Sequence, residues 1–103
     1  MKIFEKIKKQ ISNNPIILYM KGSPKNPKCG FSDKAVKILI SCNINFTYID
    51  VLNNPDIRKY LPKYANWPTF PQLWINGELI GGYDILYNMY CNKKLNNILI
   101  KKI

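Results

Sequence analysis

Asn76-Gly77 sits between two short apolar runs, Gln72 to Ile75 and Glu78 to Ile80, and no other dipeptide restricts the folding of this chain so strongly. A two-residue type I′ turn needs positive φ at both central positions, which Asn and Gly adopt at least cost, so the runs close into an antiparallel hairpin. The first half of the chain makes the opposite demand. Ile16-Ile17-Leu18-Tyr19-Met20 has strand length, and Phe46 to Val51 is a second run of aromatic and β-branched residues. Between them, Ala35, Val36, Leu39 and Ile40 fall on one side of a helix expected from Ser32 to about Cys42. Strand, helix, strand implies parallel pairing through a crossover, so the sheet must be mixed.

The remaining segments fit around that sheet. Ile3, Phe4, Ile7 and Ile11 recur at helical spacing until Asn13-Asn14-Pro15 stops the pattern. Pro55 suits a first helical position behind a capping Asn54, and Ile57, Tyr60, Leu61 and Tyr64 form a stripe that Pro62 is predicted to kink or end early. Trp67-Pro68-Thr69-Phe70-Pro71 reads as stiff and extended, because residues before proline are driven out of helical geometry. The segment containing Gly22, Ser23, Pro24, Asn26 and Pro27 is too rich in breakers to be regular. Gly81-Gly82-Tyr83-Asp84 turns into a helix with Asp84 as the expected N-cap, and a last helix is expected from about Lys94 to Lys102. The whole chain, 1–103, reads as a single α/β domain with a mixed four-stranded sheet flanked by helices, the thioredoxin-like arrangement.

Composition narrows the setting. No stretch approaches the roughly 20 apolar residues of a membrane span, and the opening residues mix charge and hydrophobe unlike a secretory signal. Three widely spaced cysteines, Cys29, Cys42 and Cys91, form neither a metal-type pair nor a disulfide framework, which fits a reducing compartment. The formal charge of +10 would suit nucleic acid, an anionic membrane or an acidic ligand. Its lysines, however, lie along the whole chain among abundant Asn and Ile, which reads better as a solvated face; nucleic acid is not the expected partner.

Lys28-Cys29-Gly30-Phe31-Ser32 carries the chemistry. Cys29 falls at a loop-to-helix junction, where unpaired amides, the helix dipole and a neighbouring lysine favour the thiolate. Three residues on, where a dithiol motif would have its second cysteine, stands Ser32. Cys42 and Cys91 lack such a setting and read as boundary residues, with a resolving role left open.

Lys21-Gly22-Ser23-Pro24, Cys29-Gly30-Phe31-Ser32, Trp67-Pro68-Thr69-Phe70-Pro71-Gln72, Asn76-Gly77-Glu78 and Gly81-Gly82-Tyr83-Asp84 together resemble the monothiol glutaredoxins of the CGFS type over nearly the whole chain. The resemblance implies a glutathione site. In it, Lys21 and Arg58 pair with the glycyl carboxylate, Phe70 and a cis Pro71 meet the cysteinyl backbone, and Gly82, Tyr83 and Asp84 receive the γ-glutamyl end beside Cys29 and Phe31. Asp84 would accept from the α-ammonium while a helix N-terminus holds the α-carboxylate. Trp67 borders the implied groove. The sequence departs from the family pattern at Tyr83, where a cysteine is common, at Pro62, where some members have lysine, and at Trp74, which reads as packing.

Two functions are compatible with that likeness. The first is carriage of a [2Fe-2S] cluster by a homodimer in which two Cys29 thiolates and two glutathiones supply four sulfurs for delivery to recipient iron-sulfur apoproteins. The second is glutathione-dependent thiol-disulfide exchange, expected to be weak at most, with Cys29 as nucleophile. Either belongs in the cytoplasm or the mitochondrial matrix.

Overall fold

The computed structural model describes residues 2–92, in chain order α1 (Lys2–Asn13), β1 (Ile16–Met20), β2 (Gly22–Ser23), β3 (Asn26–Pro27), α2 (Gly30–Ser41), β4 (Thr47–Asp50), α3 (Pro55–Ala65), β5 (Gln72–Ile75), β6 (Glu78–Gly81) and α4 (Tyr83–Cys91). The helix expected from Lys94 to Lys102 lies outside the described residues. β1 is the inner strand on which the rest is assembled. It pairs in parallel with β4, Ile17 opposite Thr47, and antiparallel with β5, Ile17 opposite Trp74, giving the order β4-β1-β5-β6. The hairpin between β5 and β6 closes on Asn76 and Gly77, with φ of 48° and 82°.

Strand alternation builds two cores. Ile16, Leu18 and Met20 of β1 join Leu73 and Ile75 of β5 beneath Val36 and Leu39 of α2 and Leu86 of α4. Ile17, Tyr19 and Trp74 point the other way, into Ile7 and Ile11 of α1 and Ile57 and Leu61 of α3. Every residue of β1 is buried, as a strand covered on both faces requires. The Tyr19 hydroxyl donates to Gln10 Oε1 at 2.9 Å, so even this deep phenol keeps a partner, and burial drives its pKa far above the ordinary tyrosine value. No helix among the described residues is long and apolar enough to cross a membrane.

The structure corrects four expectations. The breaker-rich stretch is ordered into the β2-β3 ladder, with Gly22 opposite Pro27 and Lys28 N–H donating to Lys21 O at 2.9 Å. α2 begins at Gly30, two residues before the expected Ser32. Pro62 does not end α3, which runs on to Ala65 and closes through the left-handed Asn66 and a bond from Trp67 N–H to Pro62 O. An interior proline costs about 3 kcal/mol. Ile57 and Leu61 of the same helix are fully buried, at about 1.5 to 3 kcal/mol each, so packing outweighs the proline. Finally, Asp84 is not the N-cap of α4. Gly82 leaves β6 in extended geometry and caps the helix itself, which puts Asp84 within the first turn. Asn54 is the N-cap residue of α3 ahead of Pro55, as expected; it caps through its backbone, with its carbonyl accepting from Arg58 N–H, while its side-chain amide donates to Asp50 O.

Gly22 is where the β2-β3 ladder tolerates no side chain: at φ +90° an added Cβ would come 2.5 Å from Asn26 O and 2.7 Å from Lys28 N. Gly22→Ala is expected to destabilise the fold by about 2 to 4 kcal/mol, combining the backbone penalty with the clash. Urea unfolding measures this, and a midpoint equal to wild type would refute it.

Candidate functional site

The C-terminal end of β1 delivers Lys21 to the lip of a groove of about 920 Å³. Lys21, Cys29, Phe31, Arg58, Phe70, Pro71, Gly82, Tyr83 and Asp84, the residues singled out from the sequence, all line it. Pro62, Trp67, Pro68, Thr69 and Ile85 complete the wall. Cys42 and Cys91 lie elsewhere, the first half-buried at the end of α2 and the second exposed at the end of α4.

Four elements set this geometry. The β2-β3 ladder folds the chain back so that Cys29, the N-cap residue of α2, returns to the neighbourhood of Lys21. Ser32, in the first turn of α2, is fully buried, and its Oγ accepts from Lys21 N–H at 3.1 Å. Asp50, at the end of β4, accepts from Gly22 N–H at 2.9 Å, from Leu52 N–H at 2.9 Å and from the Asn53 amide at 2.9 Å, locking the base of the same loop. On the far wall the Phe70-Pro71 peptide is cis, as the family likeness implied. Buried Gln72 holds that extended segment by donating to Trp67 O at 3.0 Å and Thr69 O at 3.3 Å. Its Oε1 accepts from Trp74 Nε1 at 3.1 Å, so Trp74 is a packing residue set against Tyr64.

The Cys29 thiol is biased toward its ionised form. Partial burial pushes its pKa up, but the N–H groups of Ser32 and Phe31, the Ser32 hydroxyl and the Lys21 ammonium act on the sulfur together and leave it below the ordinary thiol value. The lysine responsible is Lys21, not the sequence neighbour Lys28. The Ser32 hydroxyl therefore serves twice, receiving the Lys21 amide and stabilising the thiolate. Ser32, Asp50 and Gln72 escaped the sequence reading as contributors. A small polar residue in helical register with Ala35, Val36 and Leu39, and an aspartate three residues before Asn53, are the signals that were there to find.

The groove wall carries both signs of charge. Lys21 and Arg58 are its cations, and among the described residues neither forms an ion pair. α4 presents its N-terminal amides behind Gly82, with the Asp84 carboxylate exposed beside them. Lys63, next to the departure at Pro62, sets its Nζ 5.4 Å from the Tyr60 ring centroid and does not line the groove. Trp67 does line it, and its Nε1 is a buried donor with no partner among the described residues. A Cβ on Gly82 would approach Pro71 O to 3.2 Å and Trp67 Nε1 to 3.5 Å, so the wall is closely packed there.

A mixed sheet between two helical layers, with a lone cysteine at the N-terminus of α2 and a cis proline in the same groove, defines a thioredoxin-like protein. The glutaredoxin family model matches residues 16–80. Glutaredoxin 4 of Haemophilus ducreyi is 60% identical over 99 residues, which cover 96% of this chain and 92% of the relative. Glutaredoxin 4 of Escherichia coli K12 is 61% identical over 95 residues, 92% of this chain and 83% of the relative. Among solved structures, reduced apo GrxS14 of poplar superposes with a TM-score of 0.81 at 39% identity, covering 95% of this chain and 90% of that one. The chain belongs to the glutaredoxin family.

The thiolate bias gives a pH test. Alkylation by iodoacetamide consumes thiolate, so the Cys29 rate should stay high as pH falls until it passes a midpoint below that of a free thiol. Ser32→Ala removes one of the groups that favour the ionised form and should move the midpoint upward. A midpoint unchanged by the substitution would remove Ser32 from the electrostatics of the site.

Proposed function

We propose that this protein is a monothiol glutaredoxin that binds and hands on a [2Fe-2S] cluster, with two protomers and two glutathione molecules sharing one cluster. The observation that carries the reading is that Cys29 is alone. It is the single cysteine of the groove, the position of a second motif thiol is occupied by the buried and hydrogen-bonded Ser32, and the chain contains no histidine. Among the described residues no three His, Cys, Asp or Glu side chains gather as a ligand set. Four-sulfur ligation must therefore draw on a second chain and on small thiols, and Cys29 plus glutathione, taken twice, supplies four.

The groove offers complementary chemistry along the length of glutathione. Lys21 and Arg58 suit the glycyl carboxylate, Arg58 through a planar fork that can bind it in two places. The backbone of Phe70 and cis Pro71 offers the cysteinyl residue a strand-like partner. The N-terminus of α4 suits the α-carboxylate, and Asp84 the α-ammonium. Phe31 and Tyr83 wall the sulfur end, and this arrangement aims the glutathione thiol toward Cys29. Transfer to a recipient apoprotein then exchanges thiolate for thiolate on iron, with no change in oxidation state. Half of the ligands dissociate as small molecules, so the donor releases its cargo without unfolding. Dependence on a free small thiol suits a reducing compartment, the cytoplasm or the mitochondrial matrix.

The thiolate bias of Cys29 favours a second reading, deglutathionylation. Cys29 attacks the glutathionyl sulfur of a mixed disulfide and the substrate thiolate leaves. A second glutathione thiolate then attacks the Cys29 adduct, regenerating the Cys29 thiolate and releasing glutathione disulfide. This path needs no second cysteine, but a pKa that favours the thiolate serves ligation equally well.

Anaerobic reconstitution with iron, sulfide and glutathione separates the two. The expected product is a dimer whose visible absorption is lost in Cys29→Ser; absorption that survives the substitution would refute the ligand assignment. Turnover of a small glutathione mixed disulfide at the rate of a dithiol enzyme would reverse the order of the readings. Asp84→Ala should weaken glutathione binding by about 1 to 3 kcal/mol through loss of a charge-assisted bond, read by titration calorimetry. Unchanged affinity would confine Asp84 to complementing the dipole of α4.

A further inference from the structure

Gln72 lies between two tryptophans, and the fold treats their indoles differently. Trp74 Nε1, in the core beneath α1 and α3, donates to Gln72 Oε1 at 3.1 Å. Trp67 lines the groove, and its Nε1 is the one buried side-chain donor among the described residues that has no partner. The polar groups around it are already committed. Trp67 N–H donates to Pro62 O at 3.1 Å, Trp67 O accepts from Gln72 Nε2 at 3.0 Å, and Gln72 Oε1 is taken by Trp74. A buried donor without a bond carries the cost of its desolvation with nothing to offset it, and a phenylalanine would wall the groove free of that cost. The N–H therefore points to an acceptor that arrives from outside the chain. Its surroundings say which. A Cβ on Gly82 would lie 3.5 Å from Trp67 Nε1 and 3.2 Å from Pro71 O, so the edge of the indole stands against the N-cap residue of α4, whose first-turn amides draw a carboxylate.

We propose that Trp67 is a further ligand-binding residue whose Nε1–H donates to the α-carboxylate of glutathione held at the N-terminus of α4, an inference that rests on the glutathione site proposed above. A carboxylate offers two oxygens with several lone pairs, so the amides of α4 and the indole can share it. In the free groove the N–H is closed even to solvent. The indole therefore turns about its side-chain bonds to meet the oxygen, while the bonds to Pro62 and Gln72 keep its backbone in place. Without ligand the turn exchanges burial for water; with ligand it gains a charge-assisted hydrogen bond, and that difference between the two states drives it. Trp74 has no such reserve, because its donor is already satisfied. The glycine at position 82 suits this arrangement, since a side chain there would crowd the turning ring and Pro71 O together.

The test is a titration of the reduced, nitrogen-15-labelled wild-type protein with glutathione, followed through the separate resonances of the two indole N–H groups, which Trp74→Phe assigns. The Trp67 resonance should move downfield as its bond forms, while that of Trp74, already bonded to Gln72, stays in place. γ-Glutamylcysteine keeps the α-carboxylate and should reproduce the shift; cysteinylglycine lacks it and should not. Trp67→Phe, which keeps an aromatic ring in the wall, should bind glutathione about tenfold more weakly by calorimetry, the worth of one hydrogen bond to a charged group. The wild-type titration decides the matter even where the variant folds poorly. A Trp67 resonance that stays in place while the Gly82 amide shifts would overturn the proposal and leave the glutathione site standing, whereas no shift in either removes both. An equal shift with cysteinylglycine, or wild-type affinity in a folded Trp67→Phe, would also overturn it.

Discussion

The burial of β1 on both faces is the constraint on which the rest of the molecule depends. A strand with water on neither side can pair only inside a sheet covered by two layers, and its alternating residues then decide which helices cover which face. Ile16, Leu18 and Met20 draw in α2 and α4, while Ile17 and Tyr19 draw in α1 and α3. Parallel pairing with β4 and antiparallel pairing with β5 use the hydrogen-bonding groups of its two edges. The functional groove then opens where this strand stops, because Lys21 is the first residue past its end.

Chemistry at that end depends on short-range polar links more than on the core. The β2-β3 ladder, braced by the Asp50 carboxylate on Gly22 N–H, carries the chain out and back, so that residues 21 and 29 become neighbours across a loop. Ser32 joins the two sides of that return by accepting from Lys21 N–H. A cysteine at position 32 would put a larger, weaker acceptor in a fully buried site already committed to a hydrogen bond. The absence of a second motif thiol is thus matched by a positive structural use of the serine.

Legibility in the sequence tracked the range of the interaction. The Asn76-Gly77 hairpin, the apolar run Ile16 to Met20 and the spacing of Ala35, Val36 and Leu39 are local signals, and each appeared as the pattern predicted. The features misread were decided largely by partners distant in sequence. Gly22 to Pro27 contains breakers, yet Asp50 and the ladder order it; Pro62 breaks helices, yet Ile57 and Leu61 anchor this one from inside the core. Asp84 is a good capping residue, but β6 hands its chain directly to Gly82, which begins the helix first. Ser32 was noticed only as a missing cysteine, since its hydrogen bond joins residues eleven apart and leaves no periodic trace. All nine residues singled out for the groove do line it, eight because the short motif blocks that carry them lie at the ends of the sheet and helices, and Arg58, outside those blocks, from the first turns of α3. Their roles toward glutathione and iron belong to the proposal.

A stabilised thiolate does not by itself choose between ligand and nucleophile, since both chemistries begin from the same ionised sulfur. Each then meets a gain and a cost. For a metal ligand, deprotonation is a cost that every thiol must meet before it binds, and a site that favours the thiolate has already met it. For a nucleophile, a lower pKa increases the thiolate fraction but decreases intrinsic reactivity, so the gain near neutral pH is partly cancelled. Lowering the pKa of Cys29 through amides, hydroxyl and ammonium therefore readies the sulfur for either chemistry, and in both the more acidic thiolate is also the weaker donor. With Ser32 fixed in the core and no other cysteine in the groove, Cys29 has no partner there for a disulfide within the chain, and the proposed carrier reading rests on that lack and not on the pKa.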